Sequence, residues 1–120
     1  MKISAVIITF NEERNIGRCI DSLDGVADEV IVIDSYSTDK TQEICEEKGV
    51  MFTQRTWDDY SGQKNYANSL AQFDYILSID SDEALSEELK KSIREIKSGT
   101  LVEGYTVNRL TNYCGRWIKH

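Results

Sequence analysis

The chain has 120 residues, of which 40% are hydrophobic and 29% are charged, a composition typical of a soluble globular domain. Its 21 acidic residues outnumber the 14 lysines and arginines, and the net charge of −7 argues against nucleic acid as a partner. No stretch approaches the about 18 apolar residues of a membrane-spanning helix. We therefore expect residues 1–120 to form one cytoplasmic domain.

The first half of the chain predicts two strand–helix units. The apolar run at 6–8 predicts a strand buried on both faces, and Asn11 is predicted to cap the helix that follows it. "EVIVIDS" predicts the second strand, and "STDKTQEICEEKG" predicts a helix with Ser, Thr or Asp as its cap. Cys19 and Cys45 fall on the apolar faces of these helices. With Cys114 they form an odd, widely spaced set, so we expect core residues in a reducing compartment rather than disulfides or a zinc site.

The second half continues the alternation. "VMFTQ" predicts a short third strand, Gln63 to Ala71 a helix, and Tyr75 to Ile79 a fourth strand. Ser86 is predicted to cap a helix that ends at Gly99, and "GYTVNRL" with "YCGRWI" predicts a further strand pair. Strands that alternate with helices favour an α/β fold with a mostly parallel sheet.

Polar residues follow three of the predicted strands. They are Thr9 to Asn11 after the first strand, Asp34 after the second and Asp80 to Glu83 after the fourth. The carboxyl ends of parallel strands meet at one edge of the sheet, which is where open α/β sheets bind ligands. We expect these residues to share one site.

Three carboxylates lie in the segment after the fourth strand, on Asp80, Asp82 and Glu83. In an extended chain Asp80 and Asp82 point the same way, with Cα atoms ~7 Å apart. Two charges at that distance repel by about 2–3 kcal/mol at an effective dielectric constant of about 20, and we expect Glu83 and Asp34 to add to the repulsion. Such a cluster raises a carboxyl pKa or recruits a cation, and oxygen ligands suit Mg²⁺ or Mn²⁺.

The acidic segment also has interpretations other than a metal site. Acidic residues after a strand also cap helices or are simply solvated. An EF-hand loop starting at Asp80 fails because Leu85 would occupy its sixth position, where the turn requires glycine. A phosphorelay receiver needs an acidic pair after the first strand, where Phe10 and Asn11 stand. Glycine-rich phosphate loops are absent, and the single histidine, His120, is the last residue.

Three segments together resemble the N-terminal signatures of the family 2 glycosyltransferases, which have the Rossmann-like GT-A fold: "AVIITFNEERNIGRCIDSL", "DEVIVIDSYSTDKTQEI" and "YILSIDSDEALS". "GQKNYA" and "GRWIKH" are similar to the subgroup that builds bacterial lipopolysaccharide cores. The resemblance covers essentially the whole chain. It implies a mostly parallel sheet with helices on both faces, and a metal-dependent inverting transferase that uses a nucleotide sugar, expected to be UDP-linked.

The resemblance also assigns roles at the nucleotide end of the donor. Thr9 and Glu12 match the first-strand segment that lines the nucleotide site, and Asn11 lies between them. Asp34 matches the acidic residue that contacts the base. Lys64 stands near the nucleotide, where the subgroup usually has arginine, and its alternative is a solvated helix residue.

At the diphosphate end, Asp80 and Asp82 match the DxD motif of the family. By resemblance, Asp80 faces the ribose and Asp82 holds the metal that bridges the diphosphate. The cofactor implied is Mn²⁺ or Mg²⁺. Such an ion stabilises the negative charge that collects on a nucleoside diphosphate as the sugar bond breaks.

The general base of the family's inverting enzymes is not matched by any residue here. By resemblance it lies well downstream of the DxD motif, so we expect it beyond His120, together with the part that binds the glycan or lipid-linked acceptor. The chain would then be an inactive donor-binding half, whose Trp117 and Ile118 favour self-association. Peripheral contact of the full-length protein with the cytoplasmic face of the inner membrane stays open. A non-catalytic nucleotide or metal-binding module is the alternative, followed by the receiver-like domain.

Overall fold

The computed structural model describes residues 2–73 and 75–97. Within these residues four strands alternate with four helices, as the sequence predicts. The strands are β1 (Ile3–Thr9), β2 (Glu29–Asp34), β3 (Met51–Gln54) and β4 (Tyr75–Asp80). The helices are α1 (Ile16–Asp21), α2 (Thr41–Glu47), α3 (Tyr60–Leu70) and α4 (Glu87–Lys97). The predicted strand pair, the helix stop at Gly99, and Cys114 lie outside the described residues.

The strands form one sheet in the order β3-β2-β1-β4, and every pair is parallel. The mostly parallel sheet is therefore confirmed. In its register Thr9 lies opposite Asp34, and Ile8 lies opposite Asp80. The carboxyl ends of β1, β2 and β4 thus meet at one edge of the sheet, where the sequence predicts a site.

Helices cover both faces of the sheet, because side chains of a buried strand alternate between its faces. One face packs against α1, α2 and α4 in a core that includes Ile3, Ala5, Ile7, Ile16, Cys19, Val32, Cys45, Leu77, Ile79, Leu89 and Ile93. The other face packs against α3 through Val6, Ile31, Ile33, Ala67 and Ile76. Cys19 and Cys45 are fully buried free thiols, so their prediction as core residues is confirmed.

The prediction that Asn11 caps α1 is wrong. The helix begins at Ile16 with Asn15 in the cap position, and residues 11–15 form a turn in which the amides of Asn15 and Ile16 donate to the carbonyl of Glu12. Asn11 has a φ of +49°, which is incompatible with entry into a right-handed helix. Its side chain instead accepts a hydrogen bond from the amide of Thr38, 2.8 Å away.

The other helix starts follow recognisable capping chemistry. Helix α3 begins at Tyr60, three residues before the predicted start, because the carboxylate of Asp59 accepts a 2.6 Å hydrogen bond from the amide of Gly62. The predicted cap of α4 is confirmed, since the hydroxyl of Ser86 accepts from the amide of Leu89 at 3.1 Å. None of the helices described is long and apolar enough to cross a membrane.

Candidate functional site

Strand β4 ends in a closed turn formed by residues 80–83, called the acidic turn below. The amide of Glu83 donates to the carbonyl of Asp80 at 3.0 Å, and the carboxylate of Glu83 accepts from the amide of Asp80 at 3.3 Å. Asp82 is exposed at the tip. This geometry places one carboxylate oxygen each of Asp80, Asp82 and Glu83 within 4.8 Å of one another.

The electrostatics of the acidic turn favour a bound proton or cation. Two charges no more than 4.8 Å apart repel by about 3 kcal/mol or more at an effective dielectric constant of about 20. Burial, and then the negative charge of Asp80, raise the pKa of the Glu83 carboxyl. Below the turn, burial raises the pKa of the Cys19 thiol to about 12, with the charges of Glu83 and Asp80 adding to the effect.

These oxygens lie close enough together to approach one small divalent ion. Neighbouring ligands of an octahedral Mg²⁺ are about 3 Å apart and opposite ligands about 4.2 Å apart, so oxygens that lie within 4.8 Å of one another would draw closer on binding the ion. Carboxylate oxygens are the ligands that Mg²⁺ and Mn²⁺ prefer. Asp80, Asp82 and Glu83 are therefore the residues able to hold such an ion.

At the end of β1, the hydroxyl of Thr9 is buried without a partner. The residue is 2% exposed, and its Oγ1 has no hydrogen bond to any described residue. Buried polar atoms are nearly always hydrogen-bonded, so an unpaired hydroxyl at the ligand-binding edge of a sheet indicates a missing partner.

Beside Thr9, the carboxylate of Asp34 is fully buried and already occupied. It accepts hydrogen bonds from the amide of Ser37 at 2.8 Å, from the hydroxyl of Ser37, and from Nε2 of Gln54 at 3.2 Å. These donors hold its oxygens in place. Among the residues that the structure describes, the carboxylates within 4.8 Å of one another are those of Asp80, Asp82 and Glu83, without Asp34. The expectation that Asp34 adds to their repulsion stays a prediction.

Asn11 and Glu12 connect the β1–α1 loop to both of its neighbours. The amide of Asn11 donates to the hydroxyl of Ser37 at 2.8 Å, which ties the loop to the end of β2. The amide of Glu12 donates to the hydroxyl of Thr41 at 2.9 Å, and its carboxylate accepts from the hydroxyl of Ser81 at 3.3 Å. Both predicted residues thus lie at the edge, but their side chains serve contacts between loops.

Lys64 lies on α3, the helix that covers the face of the sheet opposite to α1, α2 and α4. Its ammonium group donates to the hydroxyl of Ser78 and, at 3.2 Å, to that of Tyr60, whose ring centroid is 5.3 Å away. Ser78 comes two residues before Asp80, so the two side chains share a face of β4. Lys64 is half-buried and hydrogen-bonded to the strand that carries the acidic turn, which counts against a freely solvated residue.

Sequence reasoning missed several residues that shape this edge. Gln63 is fully buried and donates to the hydroxyl of Ser35 at 2.9 Å, while its side-chain oxygen accepts from Arg55 at 2.7 Å. A glutamine between Gly62 and Lys64 carries no hydrophobic signal, and only its place within "GQKNYA" draws attention to it. Gln54 and Ser37, the partners of Asp34, have no signal in the sequence at all.

The model of the Glycosyl transferase family 2 matches residues 4–115, nearly the entire chain. The chain belongs to glycosyltransferase family 2. The match spans the ends of β1, β2 and β4, so the edge that carries Thr9, Asp34 and the acidic turn lies within the matched residues.

Relatives of this family 2 glycosyltransferase occur in several bacteria. The chain is 50% identical over 95 residues to an uncharacterised glycosyltransferase of Rickettsia bellii, covering 79% of the chain and 32% of the relative. It is 35% identical over 101 residues to the lipopolysaccharide core biosynthesis glycosyltransferase LpsC of Rhizobium meliloti, covering 80% of the chain and 37% of LpsC. The chain thus spans about a third of the length of these relatives.

Solved glycosyltransferases share the fold. TarS of S. aureus, crystallised in complex with UDP, is 29% identical with a TM-score of 0.61, over 82% of this chain and 32% of TarS. Glucosyl-3-phosphoglycerate synthase of Mycobacterium tuberculosis, crystallised with Mn²⁺, UDP and glucosyl-3-phosphoglycerate, is 30% identical with a TM-score of 0.57, over 69% of this chain and 35% of the synthase. The expected GT-A fold is confirmed.

Proposed function

We propose that residues 1–120 are the donor-binding part of a metal-dependent inverting glycosyltransferase that uses a UDP-sugar. One observation carries the proposal. Three carboxylates able to hold a divalent ion lie at the same sheet edge as the buried, unpaired hydroxyl of Thr9. A nucleoside diphosphate has the complementary groups, since its charged end needs a cation and its polar end needs hydrogen-bond donors and acceptors.

The diphosphate end is assigned to the acidic turn. Asp82 and Asp80 hold the ion in this proposal, with Glu83 as a third ligand. When bound, the ion stabilises the charge that develops on the leaving diphosphate. Lys64 lies on the same face of β4 as Asp80 and supplies a fixed positive charge toward the leaving group.

The nucleoside end is assigned to the edge around Thr9. Its hydroxyl gains the missing partner from the nucleotide, while Asn11 and Glu12 hold the loop that lines the site. Asp34 contacts the base only if Ser37 or Gln54 shares its carboxylate with the ligand, because both already donate to it. The complexes of TarS with UDP and of glucosyl-3-phosphoglycerate synthase with UDP and Mn²⁺ support UDP as the nucleotide.

The acceptor and the general base are assigned to sequence outside this chain. Among the described residues after the acidic turn, Glu87, Glu88 and Glu95 are exposed on α4, and none of them matches the base that the family resemblance leads us to expect. The relatives are about three times as long. We infer that this chain alone is inactive in transfer.

The likeness to LpsC supports a lipopolysaccharide core or another cell-envelope glycan as the acceptor. We infer that the full-length enzyme acts in the cytoplasm, at the inner face of the membrane, where it would meet a nucleotide sugar and a lipid-linked acceptor. The second candidate is a non-catalytic module that binds the nucleotide and the ion. This alternative is favoured because no general base is assigned among the described residues.

Calorimetric titration with UDP, with and without Mn²⁺, tests the donor site. We expect binding that requires Mn²⁺, that weakens at least about tenfold in Asp82→Asn, and that is unchanged in Asp24→Asn, an equally exposed aspartate in the connection before β2. Failure of the folded wild-type chain to bind UDP with Mn²⁺ would refute the donor site. Equal binding by Asp82→Asn would refute the role of the ion, and sugar transfer by this chain would refute its dependence on a further part.

A further inference from the structure

The acidic turn is held by Glu12 in the β1–α1 loop and by Arg18 and Cys19 of α1. Ser81 donates from its hydroxyl to the carboxylate of Glu12 at 3.3 Å. The carbonyl of Asp80 accepts from the thiol of Cys19, with 3.5 Å between sulfur and oxygen. The carbonyl of Asp82 accepts from Nη2 of Arg18 at 3.3 Å. Each of the three successive residues of the turn thus has a partner more than 60 positions away.

The first turns of α1 explain this arrangement. Cys19 points into the core below the turn, where it is fully buried, while its neighbour Arg18 lies outside and is exposed. The two side chains therefore reach the turn from below and from the solvent side. Cys19 contacts the turn from the core, at Asp80. Arg18 contacts it from the solvent side, at the exposed residue Asp82.

We propose that Arg18 is a positioning residue that orders the acidic turn for the divalent ion. The three carboxylates repel one another before an ion binds, and an unrestrained tip would move Asp82 away from Asp80 and Glu83. The hydrogen bond from Arg18 fixes the carbonyl of Asp82, and the guanidinium charge offsets part of the repulsion. Groups that orient metal ligands in this way affect metal affinity although they do not touch the ion. The identity of the ion rests on the function proposed above.

Removal of Arg18 changes the affinity for the divalent ion in opposite directions, depending on whether Arg18 acts as a nearby positive charge or orders the turn. If Arg18 acted only as a nearby positive charge, its loss would strengthen the binding of a cation. If it orders the turn, its loss weakens that binding and exposes the amide of Glu83, which donates to the carbonyl of Asp80 within the turn. The sign of the change in affinity therefore separates the two roles.

The experiment uses the full chain and the variant Arg18→Met. Mn²⁺ affinity is measured by electron paramagnetic resonance of the free ion, and exchange of the Glu83 amide is measured without metal by NMR. We expect affinity to fall about three- to tenfold, Glu83 exchange to rise by a similar factor, and the thermal midpoint to stay unchanged. Arg18→Lys, which keeps a donor and the charge, should recover part of both losses.

Arg14→Met is the matched control, because Arg14 is an exposed arginine four positions earlier, in the β1–α1 loop, and has no hydrogen bond to the acidic turn among the residues described. It should change neither quantity. Unchanged or tighter Mn²⁺ binding by Arg18→Met, or unchanged Glu83 exchange, would overturn the role of Arg18. Absence of Mn²⁺ binding in the wild-type chain would count against the proposed function instead, and the exchange comparison would still decide whether Arg18 orders the turn.

Discussion

Replacement of Thr9 by valine is expected to stabilise the free chain and weaken nucleotide binding. Threonine and valine have nearly the same shape and the same β-branch, so strand β1 keeps its packing and its strand propensity. The change removes only a hydroxyl that is buried at 2% exposure without a partner among the described residues. Stability and binding should therefore move in opposite directions.

The expected size follows from the cost of an unpaired polar group. A buried hydroxyl without a partner costs about 1–3 kcal/mol, so Thr9→Val should raise the free energy of unfolding by about 1 kcal/mol or more. For a chain of this size that corresponds to a rise of about 4 °C in the thermal midpoint. Loss of the hydrogen bond to the nucleotide should weaken UDP binding about five- to tenfold.

Urea denaturation of the free chain and UDP calorimetry with Mn²⁺ give the two quantities. Thr41→Val is the matched control, because the hydroxyl of Thr41 is also fully buried but accepts from the amide of Glu12 and donates to Asp39 at 2.6 Å. This variant should lose about 1–3 kcal/mol of stability. If Thr9→Val were as destabilising as Thr41→Val, or bound UDP as tightly as the wild-type chain, the assignment of Thr9 would be refuted.

Three further predictions concern charge, thiol reactivity and packing. The hydrogen bond from Arg55 lowers the pKa of Asp58 from 3.8 to about 2, so its contribution to stability is present above pH 3.8 and is lost as the pH falls toward 2. Arg55→Met should return that pKa toward 3.8 in an NMR titration, and an unchanged pKa would contradict this cause. Cys19, whose pKa is raised to about 12 by burial, should resist alkylation in the folded chain and react in concentrated urea, as followed by peptide mass spectrometry. Ile93→Ala should lower the free energy of unfolding by about 2–5 kcal/mol because Ile93 is fully buried under the sheet, whereas Lys91→Ala, at an exposed position, should leave it nearly unchanged.

The fold and the edge that carries the site could be predicted because both depend on local pattern. Apolar runs of strand length alternate with helical periodicity, and parallel strands bring their carboxyl ends together whatever the loops do. Polar residues at those ends, such as Thr9 and Asp80, therefore lie at one edge of the sheet whatever the order of the parallel strands. The capping role of Ser86 is similarly local and was predicted from its position alone.

The contacts that arrange the site could not be predicted, because they join residues far apart in sequence. The positive φ of Asn11 accompanies its hydrogen bond to Thr38, so the start of α1 is decided by a neighbouring loop rather than by capping preference. The donors to Asp34 come from a loop and from another strand, which no spacing rule relates to it. Arg18 belongs to an ordinary amphipathic helix pattern, and only the placement of β4 beside β1 gives it a partner.

The pairing of β1 with β4 determines when the site can form during protein synthesis. Ile3 pairs with Tyr75, 72 residues later, and the same offset holds up to Ile8 and Asp80. At about 5–20 residues per second, the ribosome makes β4 several seconds after β1. During that time the edge of β1 that later pairs with β4 is unpaired. Loop closure over such a distance is slow compared with the formation of β1–β2, whose partners are about 25 residues apart. Among the described residues, the carboxylates of the acidic turn are thus late to reach their places, and metal binding by a nascent chain would report that β4 has paired with β1.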